Sequence, residues 1–400
     1  MEGYLLDWAN LLLRWLHVIV AIAWIGSSFY FVWLDNSLRA PIDAALKEKG
    51  VGGELWAVHG GGFYNPQKYL GAPPALPQDL HWFYWESYST WLSGFGLFSV
   101  LYLFNPRVFL IDPNVANISP TVAVVAALAF LVLGWLVYDI ACKALQKQEK
   151  LLAVLVVLYV VAAAWAACHL FSGRAAFLII GAMIATIMSA NVFFVIIPGQ
   201  RKVIASMKAG EPVNPIHGQR GKQRSVHNTY FVMPVLFAML SNHYPFATGA
   251  RHNWLALVLI MLAGALIRHF FVARHKTALA GRSAPWGWAL AGVGLLLGVA
   301  IWLAPPAGPV ALASAPVSAQ DLWPRVQTVV AQRCVMCHNA QLPNKGVALH
   351  TPELIEQHAQ RLYQQAVVLK TMPLNNATGI TDEERSILAR WYQLQSSAHR

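Results

Sequence analysis

The sequence predicts an all-α protein: a bundle of eight transmembrane helices, then a short tether, then a small soluble helical domain. Three observations lead to that class. Of the 400 residues, 57% are hydrophobic and only 12% charged, with a mean hydropathy of +0.47, which is not the composition of a soluble globular protein. Eight separate stretches are apolar over a length that can cross a bilayer. Beyond residue 304 this pattern stops, and polar, helix-periodic sequence resumes after a segment of Ala, Pro, Gly, Ser and Val.

The apolar stretches lie near 8–34, 86–106, 121–142, 151–171, 175–200, 226–245, 253–273 and 285–304. In hydrocarbon a chain must satisfy its own backbone hydrogen bonds, so these runs read as helices. Sixteen tryptophans suit belts at the two membrane interfaces. Glu2 and Asp7 precede a first run long enough to span, which predicts a membrane helix there and no cleaved leader. The domain limits follow: a membrane domain over 1–304 with a long loop at about 35–85, a flexible linker over 305–320, and a second domain over 321–400. The loop carries Val58-His59-Gly-Gly-Gly-Phe-Tyr64; its length and aromatic content predict an ordered cap.

In the second domain, Cys334-Val-Met-Cys337-His338 is a C-x-x-C-H run. Two thiols at this spacing can form thioethers to the vinyl groups of one haem, and the adjoining histidine can ligate its iron. A redox C-x-x-C or half of a zinc site would not need that histidine, and no second cysteine pair follows. The expected cofactor is therefore haem c, bound covalently by Cys334 and Cys337. A helix near 321–333 delivers Cys334, and a last helix starts at Thr381, where Glu384 completes a capping box. Met372, before Pro373 in the loop between them, is the expected second axial ligand, with His350 and His358 as rivals. Helix, haem motif, methionine loop and C-terminal helix resemble a small class I c-type cytochrome. Cys142 and Cys168, inside apolar runs, read as packing thiols.

Haem attachment takes place outside the cytoplasm, and an even number of spans puts both termini there. The loops then assigned to the cytoplasm carry most of the basic residues, among them Lys143, Lys147, Lys150, Arg201, Lys202, Arg220 and Arg224, as the positive-inside rule requires. The net charge of +11 is thus a feature of short loops, and it excludes nucleic acid as partner. The lipid bilayer is the partner instead.

Polar groups in the spans are functional candidates, because they cost free energy in lipid. Histidines fall in two layers: His17, His169, His243 and His252 near the outer side, and His81, His227, His269 and His275 near the inner side. Of these, His17, His169 and His243 could ligate a haem b or another relay. Aromatic residues for stacking, Arg224 or Arg268 for charge, and His227-Asn228 for in-plane hydrogen bonds could form a pocket. His59, Glu86 and His269 complete the candidates.

Several runs then resemble one family. They are Arg14-Trp-Leu-His17 through Trp24-Ile-Gly26 to Asp35-Asn36, Val58-His59-Gly-Gly-Gly-Phe-Tyr64, His81-Trp-Phe-Tyr-Trp-Glu86, Arg224-Ser-Val-His227-Asn228, Ser241-Asn-His243-Tyr-Pro245 and Arg268-His269-Phe-Phe. The resemblance is to the membrane-bound urate oxidases of bacterial purine breakdown, which join a urate oxidase membrane domain to a C-terminal cytochrome c, and it covers nearly the whole chain. It implies oxidation of urate to 5-hydroxyisourate in the bacterial inner membrane, with electrons leaving through the cytochrome and not to dioxygen. The acceptor would be a respiratory cytochrome c oxidase or another electron carrier. Read from the residues alone, two other functions stay open: a quinol–cytochrome c oxidoreductase, and a haem- or copper-handling membrane protein with an electron-transfer domain.

Overall fold

The computed structural model describes residues 2–71, 73–304, 318–341 and 346–398. Helix α1 (Glu2–Ser37) leads to α2 (Ala44–Glu48) and two small antiparallel ribbons. Then come α3 (Trp85–Phe98), continued by a π-helical turn at Ser99–Leu103, α4 (Pro106–Phe109), α5 (Pro120–Ala144) and α6 (Glu149–Leu170). Next, α7 (Gly173–Ala190) runs through a π-helical stretch (Asn191–Ile196) into α8 (Ile197–Lys208), followed by α9 (Pro215–Leu240), α10 (Pro245–Thr248), α11 (Asn253–Leu279) and α12 (Trp286–Trp302). The C-terminal unit contains α13 (Ala319–Arg333), α14 (Pro352–Gln357), α15 (Ala359–Tyr363) and α16 (Asp382–Ala398).

The protein is thus mostly helical, and each of the eight expected stretches is helix. They are not equal in character. Five helices among the described residues are long and apolar enough to cross a membrane: Tyr4–Ser37, Pro120–Ala144, Glu149–Leu170, Gly173–Lys208 and Asn253–Leu279. Trp286–Trp302 is apolar but only 17 residues long. The stretch expected at 86–106 is rich in Ser and Gly along α3, and α9 is polar through its first half, from Pro215 to Asn228. The expected span over 226–245 begins where this polar half ends, and both helices bring polar groups into the bundle.

Small residues let the helices approach closely, the usual device where lipid removes the hydrophobic drive between helices. Ala123 and Ala127 of α5, Ala164 and Ala167 of α6, and Ala175 and Ala176 of α7 are all fully buried at the centre of one core. Large apolar side chains such as Leu12, Ile19, Val125, Val132, Val154 and Leu158 point outwards and stay exposed, as a lipid-facing surface would.

The loop after α1 departs from the all-α expectation. Val51–Glu54 pairs with Gln67–Tyr69, and within that ribbon Ala57–His59 pairs with Gly62–Tyr64. Gly60 and Gly61 form the two-residue turn, with φ of +58° and +81°, a conformation that glycine adopts without steric cost. The three glycines therefore make a hairpin, and Lys68 pairs with Asp35 to tie it to the end of α1.

In the C-terminal unit, α13 packs on α16, and Trp323 stacks on Trp391 at 5.3 Å. The expected capping box is present: Glu384 N donates to Thr381 Oγ1 at 3.2 Å, and Thr381 N to Glu384 Oε2 at 2.8 Å. The linker expected over 305–320 lies outside the described residues as far as 317; Ser318 already caps α13. The unit rests on the end of the bundle formed by residues 106–114, 172–174 and 245–249. Lys143, Lys202 and Arg220 stand at the opposite end.

Candidate functional site

Three of the expected site residues lie on the first half of α9, and the fold brings them into one buried network with α5 and α7. Arg224 Nη2 donates to Asp139 Oδ1 at 2.6 Å, and Lys143 Nζ approaches Asp139 Oδ2 at 2.7 Å. Arg224 Nη1 donates to Asn191 Oδ1 at 3.3 Å, whose amide donates in turn to Asn228 Oδ1 at 3.0 Å and Tyr138 Oη at 3.1 Å. The Tyr138 hydroxyl and His227 Nδ1 are 2.8 Å apart, and Asn228 Nδ2 donates to the Met188 carbonyl at 3.0 Å. Arg224 and Asp139 are only 3% and 4% exposed, so this pair has little water to solvate it and depends on its partners.

Asn191 opens the π-helical stretch that joins α7 to α8. Such a widened turn redirects side chains and is common at functional sites. Beside it is a cavity of about 170 Å³, floored by Asp139 and Arg224 and walled by Trp135 and Phe194. Lys202, Arg220 and His217 line it as well. The indole Nε1–H of Trp135 is buried without an acceptor, a donor left free for a guest. Asp139, Asn191, Tyr138 and Trp135 were not among the expected residues. An aspartate within the apolar run 121–142 was the available signal.

Arg268 and His269 lie elsewhere, on α11 against the other side of α9. The Arg268 guanidinium sits 3.9 Å from the centroid of Phe29 and donates through Nε to the Thr229 carbonyl at 3.4 Å. Its Nη2 is buried without a partner, and no carboxylate pairs with it among the described residues. His269 Nδ1 lies 2.7 Å from the Tyr230 hydroxyl, with its ring against Trp288.

The remaining candidates are dispersed. His59 is exposed at the hairpin turn, and Glu86 is half-buried in the first turn of α3. His17 Nδ1 donates to the Thr90 carbonyl at 3.1 Å, which leaves Nε2 free, and its ring presses on α3 where Gly94 leaves room. His169 bonds back to the Trp165 carbonyl of its own helix at 2.7 Å and is exposed; His243 is exposed in a turn after α9. Each of these three histidines has its own surroundings, and no group of three or more metal-binding side chains occurs among the described residues.

In the C-terminal unit the residues expected to hold a haem lie on and after the turn that follows α13. His338 follows α13 in a tight turn, its N–H bonded to the Cys334 carbonyl at 3.1 Å. Its Nδ1 donates to the Val347 carbonyl at 2.9 Å, which restrains the ring and leaves Nε2 as the unprotonated nitrogen, the tautomer a ligating histidine requires. Cys334 is buried and Cys337 exposed. Burial pushes the Cys334 thiol up to about 12. Met372 is half-buried, with its carbonyl accepting from Arg385 Nη1 at 2.9 Å, while the rival His350 is exposed.

Comparison with curated proteins and with solved structures gives no match. The model of the urate oxidase N-terminal family matches residues 3–304, the whole helical bundle with its ribbon loop. The chain therefore belongs to the urate oxidase N-terminal family, and that membership makes it an oxidoreductase-type protein related to urate.

Proposed function

We propose that this is a membrane-bound urate oxidase of the bacterial inner membrane, multi-pass with both termini outside, that delivers its electrons to a covalent haem c. The reading rests on one juxtaposition: a urate oxidase family domain runs, in the same chain, into a C-x-x-C-H turn whose histidine is already oriented by Val347. Urate plus water gives 5-hydroxyisourate, two protons and two electrons. Bound at Cys334 and Cys337, haem c would supply a one-electron acceptor that hands on to a respiratory oxidase or another carrier.

The substrate is a planar anion, and the cavity beside Asp139 suits one. Lys202 and Arg220 attract its charge, the free Trp135 N–H can meet a purine oxygen, and Phe194 offers an apolar face. Asp139, paired with both Arg224 and Lys143, holds these two cations at the floor of the cavity. Arg268, on the other side of α9 and outside this cavity, is a further cation whose Nη2 has no partner to keep it from an anion.

The cavity lies at the basic end and the C-terminal unit at the other. The hydrocarbon core is about 30 Å thick, too far for direct electron transfer at a useful rate. A relay is therefore part of the proposal, and His17, with Nε2 free, is the ligand we assign to a haem b.

The test is a reduction assay on purified membranes supplied in turn with urate and with a quinol. Reduction of the c-type haem by urate, lost in Arg224→Gln, supports the reading. Reduction by quinol alone supports a quinol–cytochrome c oxidoreductase instead.

A further inference from the structure

We propose that Asp112 on the bundle and Arg385 on α16 form an electrostatic latch that seats the C-terminal unit and, through Arg385, fixes the loop carrying Met372. Both residues line one groove of about 520 Å³ between the bundle and the unit. They face each other across the groove without touching, and among the described residues no ion pair within 4.0 Å joins the two units.

The bundle side of this groove is rigid. The fully buried Leu110 accepts at its carbonyl from Ser172 N at 2.8 Å, and the Phe109 carbonyl accepts from Ser172 Oγ at 3.0 Å. Those bonds hold the chain just before Asp112 against the start of α7. The Asp112 carboxylate is itself set by Asn114 N, which donates to Oδ1 at 2.9 Å. Burial raises this carboxyl, while the hydrogen bonds from Asn114 and, after them, the charge of Arg385 act in the opposite direction.

On the other side Arg385 is nine-tenths buried yet has no carboxylate within bonding distance. Its Nη1 donates to the Met372 carbonyl at 2.9 Å and also to the Ala366 carbonyl. One guanidinium thus bridges the two ends of the segment that leads into the Met372 loop. The neighbouring Lys370 is engaged by Asp382 at 2.9 Å, and Arg385 is stabilised through space by Asp382 on its own side and by Asp112 across the groove. Arg174 lines the groove from the bundle side. Asp112 and Arg385 are positioning residues in this arrangement: docking the unit also orders the candidate iron-ligand loop.

The effect on haem rests on the reading of Met372 as a ligand, and the experiment separates the two. In the full-length protein, Asp112→Asn and Asp112→Lys are compared with wild type by hydrogen exchange over 364–376 and by the midpoint potential of the haem. Loss of the latch should speed exchange in that segment by about fivefold, the size of a modest ion pair, with α13 unchanged, and Asp112→Glu should restore protection. With Met372 as an iron ligand, loosening its loop should also shift the potential. Faster exchange with an unmoved potential keeps the latch and takes Met372 off the iron. Unaltered exchange in both the Asn and Lys variants overturns the latch, whatever the potential does.

Discussion

Asp139 and Arg224, on two different helices, form a 2.6 Å ion pair almost without solvent contact, and each is held by a further partner: Lys143 for the carboxylate and Asn191 for the guanidinium. A buried pair costs most when one half is removed, typically about 3–5 kcal/mol. Arg224→Ala should therefore lower thermal stability in detergent by an amount of that order, and urate oxidation should vanish. The neutral double variant Asp139→Asn with Arg224→Gln should regain much of the stability but none of the activity. Recovery of activity in that variant would remove the pair from the chemistry.

Arg268 should behave in the opposite way. Its Nη2 has no partner and its guanidinium lies on Phe29, so the native state gains little from that charge. Arg268→Leu should leave the unfolding temperature unchanged or slightly raised, while the KM for urate rises. A large loss of stability, with KM unaltered in the folded fraction, would make Arg268 a structural residue.

Covalent haem depends on the two thiols. Cys337→Ala should abolish haem staining on a denaturing gel while the bundle still inserts. In Met372→Ala the stain should persist and the spectrum become high-spin. An unchanged low-spin spectrum in that variant would point to His358, since His350 is exposed.

The bundle relay can be tested through Gly94. A Cβ there would lie 2.8 Å from His17 Cε1, so Gly94→Val must displace the imidazole. If His17 ligates a haem b, extractable haem measured as the pyridine haemochrome should fall in Gly94→Val and His17→Ala, with haem c retained. Haem c alone in the wild type would eliminate the relay and require a urate site near the opposite end.

Much of this molecule was legible in the sequence. The helices, the capping box at Thr381 and the C-x-x-C-H turn are local patterns, and local patterns are visible in a single chain. Arg224, His227 and Asn228 were found because they stand together at the start of the apolar run 226–245. Asp139 and Asn191 were missed because their significance is tertiary: Asn191 matters only where the π-helical turn sets it between Arg224, Asn228 and Tyr138. The hairpin around His59 was missed for another reason. Three glycines carry no helical or strand preference of their own, and only the pairing of Val58 with Phe63 gives the segment its form. The histidine layers were the least informative signal, since depth along a helix does not say which neighbour a ring will face: His17 turns to α3, while His169 folds back on its own helix.

The most direct test of the proposed function is anaerobic titration of the purified, fully oxidised protein with urate, following the c-type haem bands. With no dioxygen present, each urate should reduce two equivalents of haem, counting any haem b, and yield one 5-hydroxyisourate. Bands that stay oxidised while urate is bound, or urate consumption that requires dioxygen and releases peroxide, would contradict the account.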